Sequence, residues 1–163
     1  MNMNQLTQRS LAALQGAQDI AREYGNQQIE QPHLLLALVG DREGFIPQLL
    51  TAMGMTVPSF EAAVKAEVEK LPKVTVSGRE ADKVYVSQDV DRALKAAEQE
   101  AQAMKDEYIS VEHLFLGLLA HPNSALKELF RAYNVTKESV MQALATVRGN
   151  QRVTSDNPEE TYD

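Results

Sequence analysis

The chain repeats itself. Offset by 80 positions, Gln8–Val64 lies over Gln88–Leu144 without a gap. Identical pairs include Ala13/Ala93, Ala17/Ala97, Ala21/Ala101, Ile29/Ile109, His33/His113, Leu34/Leu114, Leu36/Leu116 and Leu38/Leu118. The identities gather on the apolar positions of each segment, and most other aligned pairs keep polarity, as Leu35/Phe115 and Phe60/Val140 do. An internal repeat on this scale constrains the fold before any single residue does. The expectation is two similar lobes.

Each copy reads as four helices. In the first, Thr7 is placed to cap a helix running to about Tyr24, with Leu11, Leu14, Ala17, Ala21 and Tyr24 on one stripe. Gly25-Asn26 stops it, because both residues tolerate the left-handed conformation at a helix end. A nearly all-apolar helix follows from about Gln31 to Val39, with Pro32 in its first turn, where a missing N–H costs nothing. A third spans Ile46–Met53 and ends at Gly54; a fourth begins after Thr56 and turns Phe60, Val64, Val68 and Leu71 inward. In the second copy Ser87, Ser110, Ser124 and Thr136 stand as caps, and the last helix closes at Gly149. Helices apolar on almost every side, such as Leu114–Leu119, must be surrounded by others. The fold class expected is all-α, an eight-helix bundle of two pseudo-symmetric four-helix repeats, about 6–71 and 86–149.

Two stretches lie outside the repeat. Lys70–Val86, with Pro72 and Gly78, reads as a surface connection. The polar tail beyond Gly149, residues 150–163, lacks a periodic apolar face and reads as a flexible linker toward further chain, as in a piece of a longer protein.

Composition narrows the function. With 16 Lys and Arg against 23 Asp and Glu, the net charge is −7, and no basic face offers itself to nucleic acid. Without cysteine there are no disulfides, thiolate metal sites or Cys nucleophile. The apolar runs are too short to span a bilayer and the N-terminus lacks the pattern of a signal peptide, so no membrane partner and a cytoplasmic location are expected. His33 and His113 occupy equivalent first turns, but neither has a carboxylate or second His at i+4. Both read as residues packed at a helix start, and no metal is expected. No phosphate-binding glycine loop or nucleophile elbow is present. Asp106/Glu107 and Glu159/Glu160 read as solvated loop and tail charges. An enzyme is not expected of this stretch, and surface recognition is.

Two such lobes side by side would leave a groove near their pseudo-twofold axis. Its polar rim would hold Thr7, Ser87, Asp106 and Glu112. Ordinary capping accounts equally for Thr7 and Ser87, and dipole compensation at a helix N-terminus for Glu112.

The motifs IEQPHLLLAL and YISVEHLFLGLL, the LPKV after the fourth helix and the tail GNQRVTSDNPEETY together resemble the Clp N-terminal domain, the module that opens Clp-type AAA+ unfoldases. The tail resembles the disaggregase branch in particular. That resemblance implies a domain that binds exposed hydrophobic or aggregated polypeptide and passes it to an ATPase ring of the same chain. It implies no cofactor in this stretch, ATP and Mg in the full-length hexamer, and cooperation with the DnaK system. It also implies substrate handling by Thr7, Ser87, Asp106 and Glu112, beside an apolar contact area at Ala93, Ala96 and His113. Glu100 is charged and Ala96 small, which shifts that area toward Leu11, Val90, Tyr108 and Phe115. The alternative within the family is an N-domain that docks a folded adaptor for a Clp protease unfoldase. A stand-alone helical scaffold or small-ligand binder is a third reading.

Overall fold

A computed structural model describes residues 2–74, 84–149 and 151–160. Among the described residues there are eight α-helices: α1 (Gln8–Glu23), α2 (Gln31–Gly40), α3 (Phe45–Ala52) and α4 (Val57–Glu69), then α5 (Gln88–Ala103), α6 (Val111–Ala120), α7 (Ser124–Ala132) and α8 (Lys137–Val147). The all-α duplicated bundle expected from the repeat is the fold observed. None of these helices is long and apolar enough to cross a membrane.

The helix boundaries have local causes. Thr7 accepts the Ser10 N–H and Ser87 accepts the Val90 N–H, so the equivalent helices α1 and α5 start on equivalent caps. At α2 and α6 the third helical residue is His33 or His113, whose Nδ1 accepts the backbone N–H of Glu30 or Ser110. That closes a capping box with histidine in the place usually held by Glu or Gln. Helix ends match as well: Gly25 and Lys105, and Gly54 and Asn134, all take positive φ. α3 starts and ends one residue earlier than expected, at Phe45 and Ala52, and two boundaries in the second lobe also differ. Asn123, not Ser124, caps α7, because its side chain reaches the Leu126 N–H. The last helix ends at Val147, two residues before Gly149.

The lobes interlock. α2 and α6 lie at the centre and carry many of the largest buried side chains, among them Leu34, Leu35, Leu114, Phe115, Leu116 and Leu118. Gln31, buried at the start of α2, donates to the carbonyls of Asp89 and His121 and accepts the Asn123 N–H, all in the other lobe. Phe60 of α4 meets Tyr133 edge-on, with ring centroids 5.1 Å apart. The lead-in to each first helix crosses to the opposite lobe. β1 (Gln28–Ile29) pairs in parallel with β2 (Tyr85–Val86), and Leu6 bridges Ile109 in the same sense. The connection around Gly78 lies outside the described residues.

The tail does not behave as the free linker expected from residue 150 onward. Val153 and Pro158 are buried, and Glu107 N donates to Val153 O at 2.7 Å. Gln8 N donates to Asp156 O at 2.8 Å, so the segment 151–159 runs from the C-terminal end of α5 to the start of α1. The reason is the ladder of backbone hydrogen bonds, which periodicity of side chains does not reveal.

Candidate functional site

The charged side chains expected on a groove rim are inside the protein. Asp106, Glu112, His113 and Arg148 form one buried cluster. His113 Nδ1 accepts the Ser110 N–H at 2.9 Å, which puts the ring proton on Nε2, 2.7 Å from Asp106 Oδ2. Asp106 Oδ1 accepts from the Arg148 guanidinium and from Val153 N. Arg148 also reaches Glu112 Oε2 at 3.4 Å and the Gln151 carbonyl at 2.8 Å. Burial pushes the Asp106 carboxyl up, but the donors His113, Val153 N–H and Arg148, with the arginine's charge, outweigh it and hold the group below its ordinary value.

Glu159 completes the cluster from the tail. Its Oε2 accepts from Thr7 Oγ1 at 2.8 Å and from Val111 N, the first helical amide of α6, at 3.3 Å. Burial raises this carboxyl, the Glu112 charge adds to that, and the Thr7 and backbone donors recover only part. The second oxygens of Glu112 and Glu159 are both buried without a hydrogen-bond partner.

These placements correct the expected site. Thr7, Ser87, Asp106, Glu112, Val90, Ala93, Ala96 and His113 are buried, as is Phe115, so they line no open seam. Ala93 and Ala96 are covered because α6 presses onto α5 at Gly117, where a Cβ would stand 2.1 Å from the Ala93 carbonyl oxygen. Of the expected contact residues Leu11 is exposed rather than on the buried stripe, and Tyr108 is half-buried. Glu100 is held by Lys137 at 2.8 Å. The readings of Asp106 and Glu159 as solvated charges are likewise overturned. His33 uses both ring nitrogens, on the Glu30 N–H and on Asn26 Oδ1, and His113 does so on Ser110 and Asp106. Among the described residues no group of three or more His, Cys, Asp or Glu could hold a metal.

An open apolar groove lies elsewhere, on the first lobe. A groove of about 660 Å³ runs between α1, α2 and α4. Its apolar wall is Ala12, Gly16, Ile20, Tyr24, Leu36 and Ala37, and Arg9, Glu23, Asp41, Glu61 and Lys65 edge it with both signs of charge. Arg9 and Asp41 pair at 2.8 Å at one end. The equivalent of Ala37 in the second lobe is Gly117. At Gly117 the missing methyl lets α6 lie on the α5 backbone, whereas the Ala37 methyl faces Gly16 of α1.

The profile of the Clp repeat (R) N-terminal domain matches residues 5–133 of this chain. The chain belongs to that family. Among its relatives is the chaperone protein ClpB of Bacillus cereus, 37% identical over 163 residues, all of this chain and 19% of that protein. ClpB of Nitratidesulfovibrio vulgaris is 39% identical over 164 residues, again all of this chain and 19% of the relative. This Clp N-domain thus spans about a fifth of the length of the relatives it matches. Among solved structures, the Hsp104 N-terminal domain from Candida albicans superposes with a TM-score of 0.79 at 22% identity, covering 94% of this chain and 98% of that one. A complex of the ClpV N-domain with a VipB peptide gives 0.69 at 18% identity, covering 96% and 91%. At these identities the superpositions show a shared fold.

In this Clp N-domain the residues that sequence reasoning missed are those of the α1–α2–α4 groove. The available signal was the Ala37/Gly117 difference inside an otherwise apolar repeat. Arg148 was missed for a similar reason: its place in the first lobe, by the same offset, is the buried Val68.

Proposed function

We propose that this Clp N-domain recruits client polypeptide for an ATP-driven disaggregase of the ClpB kind, holding exposed apolar segments of unfolded or aggregated chains in the α1–α2–α4 groove. The observation that carries the reading is that groove: open, apolar on its walls and charged at its edges. Unfolded clients share apolar side chains but no sequence, so a tolerant surface groove suits them better than a deep pocket with fixed polar contacts. The mixed charges at its edge add weak, adaptable contacts. Support comes also from the ClpV N-domain, a protein of the same fold that has been solved with a peptide. In a longer protein of the relatives' kind, the client would pass to a AAA+ ring using ATP and Mg, with the DnaK system as partner.

The test is a chemical-shift titration of the domain with a permanently unfolded protein, reduced and carboxymethylated lactalbumin. Perturbations are expected at Ala12, Gly16, Ile20, Tyr24 and Ala37, and Ala12→Trp, which fills the groove from an exposed position, is expected to weaken them. Perturbations gathered on a different face would overturn the assignment. Response to a folded adaptor but not to the unfolded chain would replace it with adaptor docking.

A further inference from the structure

The duplication supplies an internal control for the buried charge cluster. By the 80-residue offset, Asp106, Glu112 and Arg148 correspond to Asn26, Pro32 and Val68. The first lobe therefore builds the same corner without charge. His33 bonds Asn26 Oδ1 at 2.8 Å, as His113 bonds Asp106, and Asn26 Nδ2 donates to the Pro72 carbonyl at 3.0 Å, tying down the chain that leaves α4. Packing alone does not ask for ions there, and buried ions carry a desolvation cost that an amide and a valine avoid.

What differs between the lobes is the chain that leaves them. From α8 the segment 151–159 crosses the body, bonding at one end to the residues that differ and their neighbours and at the other to the start of α1. Val153 N binds Asp106, Val153 O binds Glu107 N, Asp156 O binds Gln8 N, and Glu159 binds Thr7 and Val111 N. Its buried apolar side chains are Val153 and Pro158. Such a segment is held by hydrogen bonds and charge rather than by a core, which places it at the low-stability end of local opening. At its far end the Glu112 and Glu159 carboxylates each leave one buried oxygen unpaired, which weakens the contact further.

We propose that Asp106 and Arg148 are a lock for segment 151–159, which docks and detaches as a unit, and that Thr7 and Asp106 are positioning residues that set the direction in which a following chain leaves the domain. They act on the chain's own tail, and this inference does not rest on the client groove.

The test is amide exchange on the 163-residue chain, with no client present. Returning the corner to its first-lobe residues with Asp106→Asn and Arg148→Val is expected to speed exchange at Gln8, Glu107 and Val153 by about tenfold or more, while amides of α6 beyond its first turn keep their rates. Unchanged rates at Gln8, Glu107 and Val153 would overturn the lock. So would equal acceleration throughout α6, which would make the cluster an element of folding. A second variant, Glu159→Gln, lies in the segment itself and leaves the body's packing alone. Its amide oxygen can still accept from Thr7 and Val111, and its NH2 can donate toward Glu112. Slower exchange at Gln8 is expected, and faster exchange would overturn the role assigned to the charges.

Discussion

His33 shows how much a single buried side chain decides. Its Nδ1 is taken by the Glu30 N–H and its Nε2 proton by Asn26, and burial lowers its pKa from 6.5 to about 4. The native ring is neutral at physiological pH, whereas the unfolded ring gains a proton below about 6.5. Stability from this group is therefore complete above about pH 6.5 and lost as pH falls toward 4, by up to roughly 3 kcal/mol. Denaturant unfolding across that range is expected to show the loss, and His33→Gln, which keeps the capping acceptor, is expected to flatten that part of the profile. His33 and His113 were legible in the sequence as helix-start residues because capping is local. Asp106 was not, since an acid beside Glu107 after a helix looks solvated; only its burial under Arg148 and Val153 separates it from its neighbour.

At the level of elements, the helices could be read from their apolar period and caps, but the distance between paired helices could not. That distance decides where a groove opens. Gly117 lets α6 rest on the backbone of α5, and Gly117→Ala would bring its Cβ against the Ala93 carbonyl oxygen. A cost of about 1–3 kcal/mol is expected from overpacking, despite the better helix propensity of alanine. Gly16 is the contrasting case: an added Cβ meets Ala37 Cβ at 3.5 Å, ordinary contact. Gly16→Ala is expected to be neutral or to stabilise by up to about 1 kcal/mol. Denaturant midpoints of the two variants should move in opposite directions or, at the least, Gly117→Ala alone should fall. The tail was illegible for a different reason. Its attachment rests on backbone bonds at Val153 and Asp156 and on a single carboxylate at Glu159, none of which leaves a hydrophobic pattern.

Over the whole molecule, the repeat told of two lobes and the apolar centre helices told of a common core, but the closed seam between them could not be read. It depends on Gln31, which spends its side chain on three backbone groups of the other lobe, and on helices meeting at Phe60 and Tyr133. So tightly shared a boundary makes the lobes unfold together. Native-state exchange in rising denaturant is expected to bring core amides of α2 and α6 to one common opening free energy, and two separate values would contradict the shared core.

The crossing of the lead-in strands is reciprocal. Residues before α1 pair with Ile109, and those before α5 pair with its counterpart Ile29, so each half hands the other the same grip that it receives. Reciprocal contact of equivalent residues is the hallmark of a symmetric homodimer. Here one chain supplies both halves of that reciprocal contact, and the two copies differ around it: a groove lies open beside α1 and α2, and segment 151–159 is bound at Asp106 and Glu107.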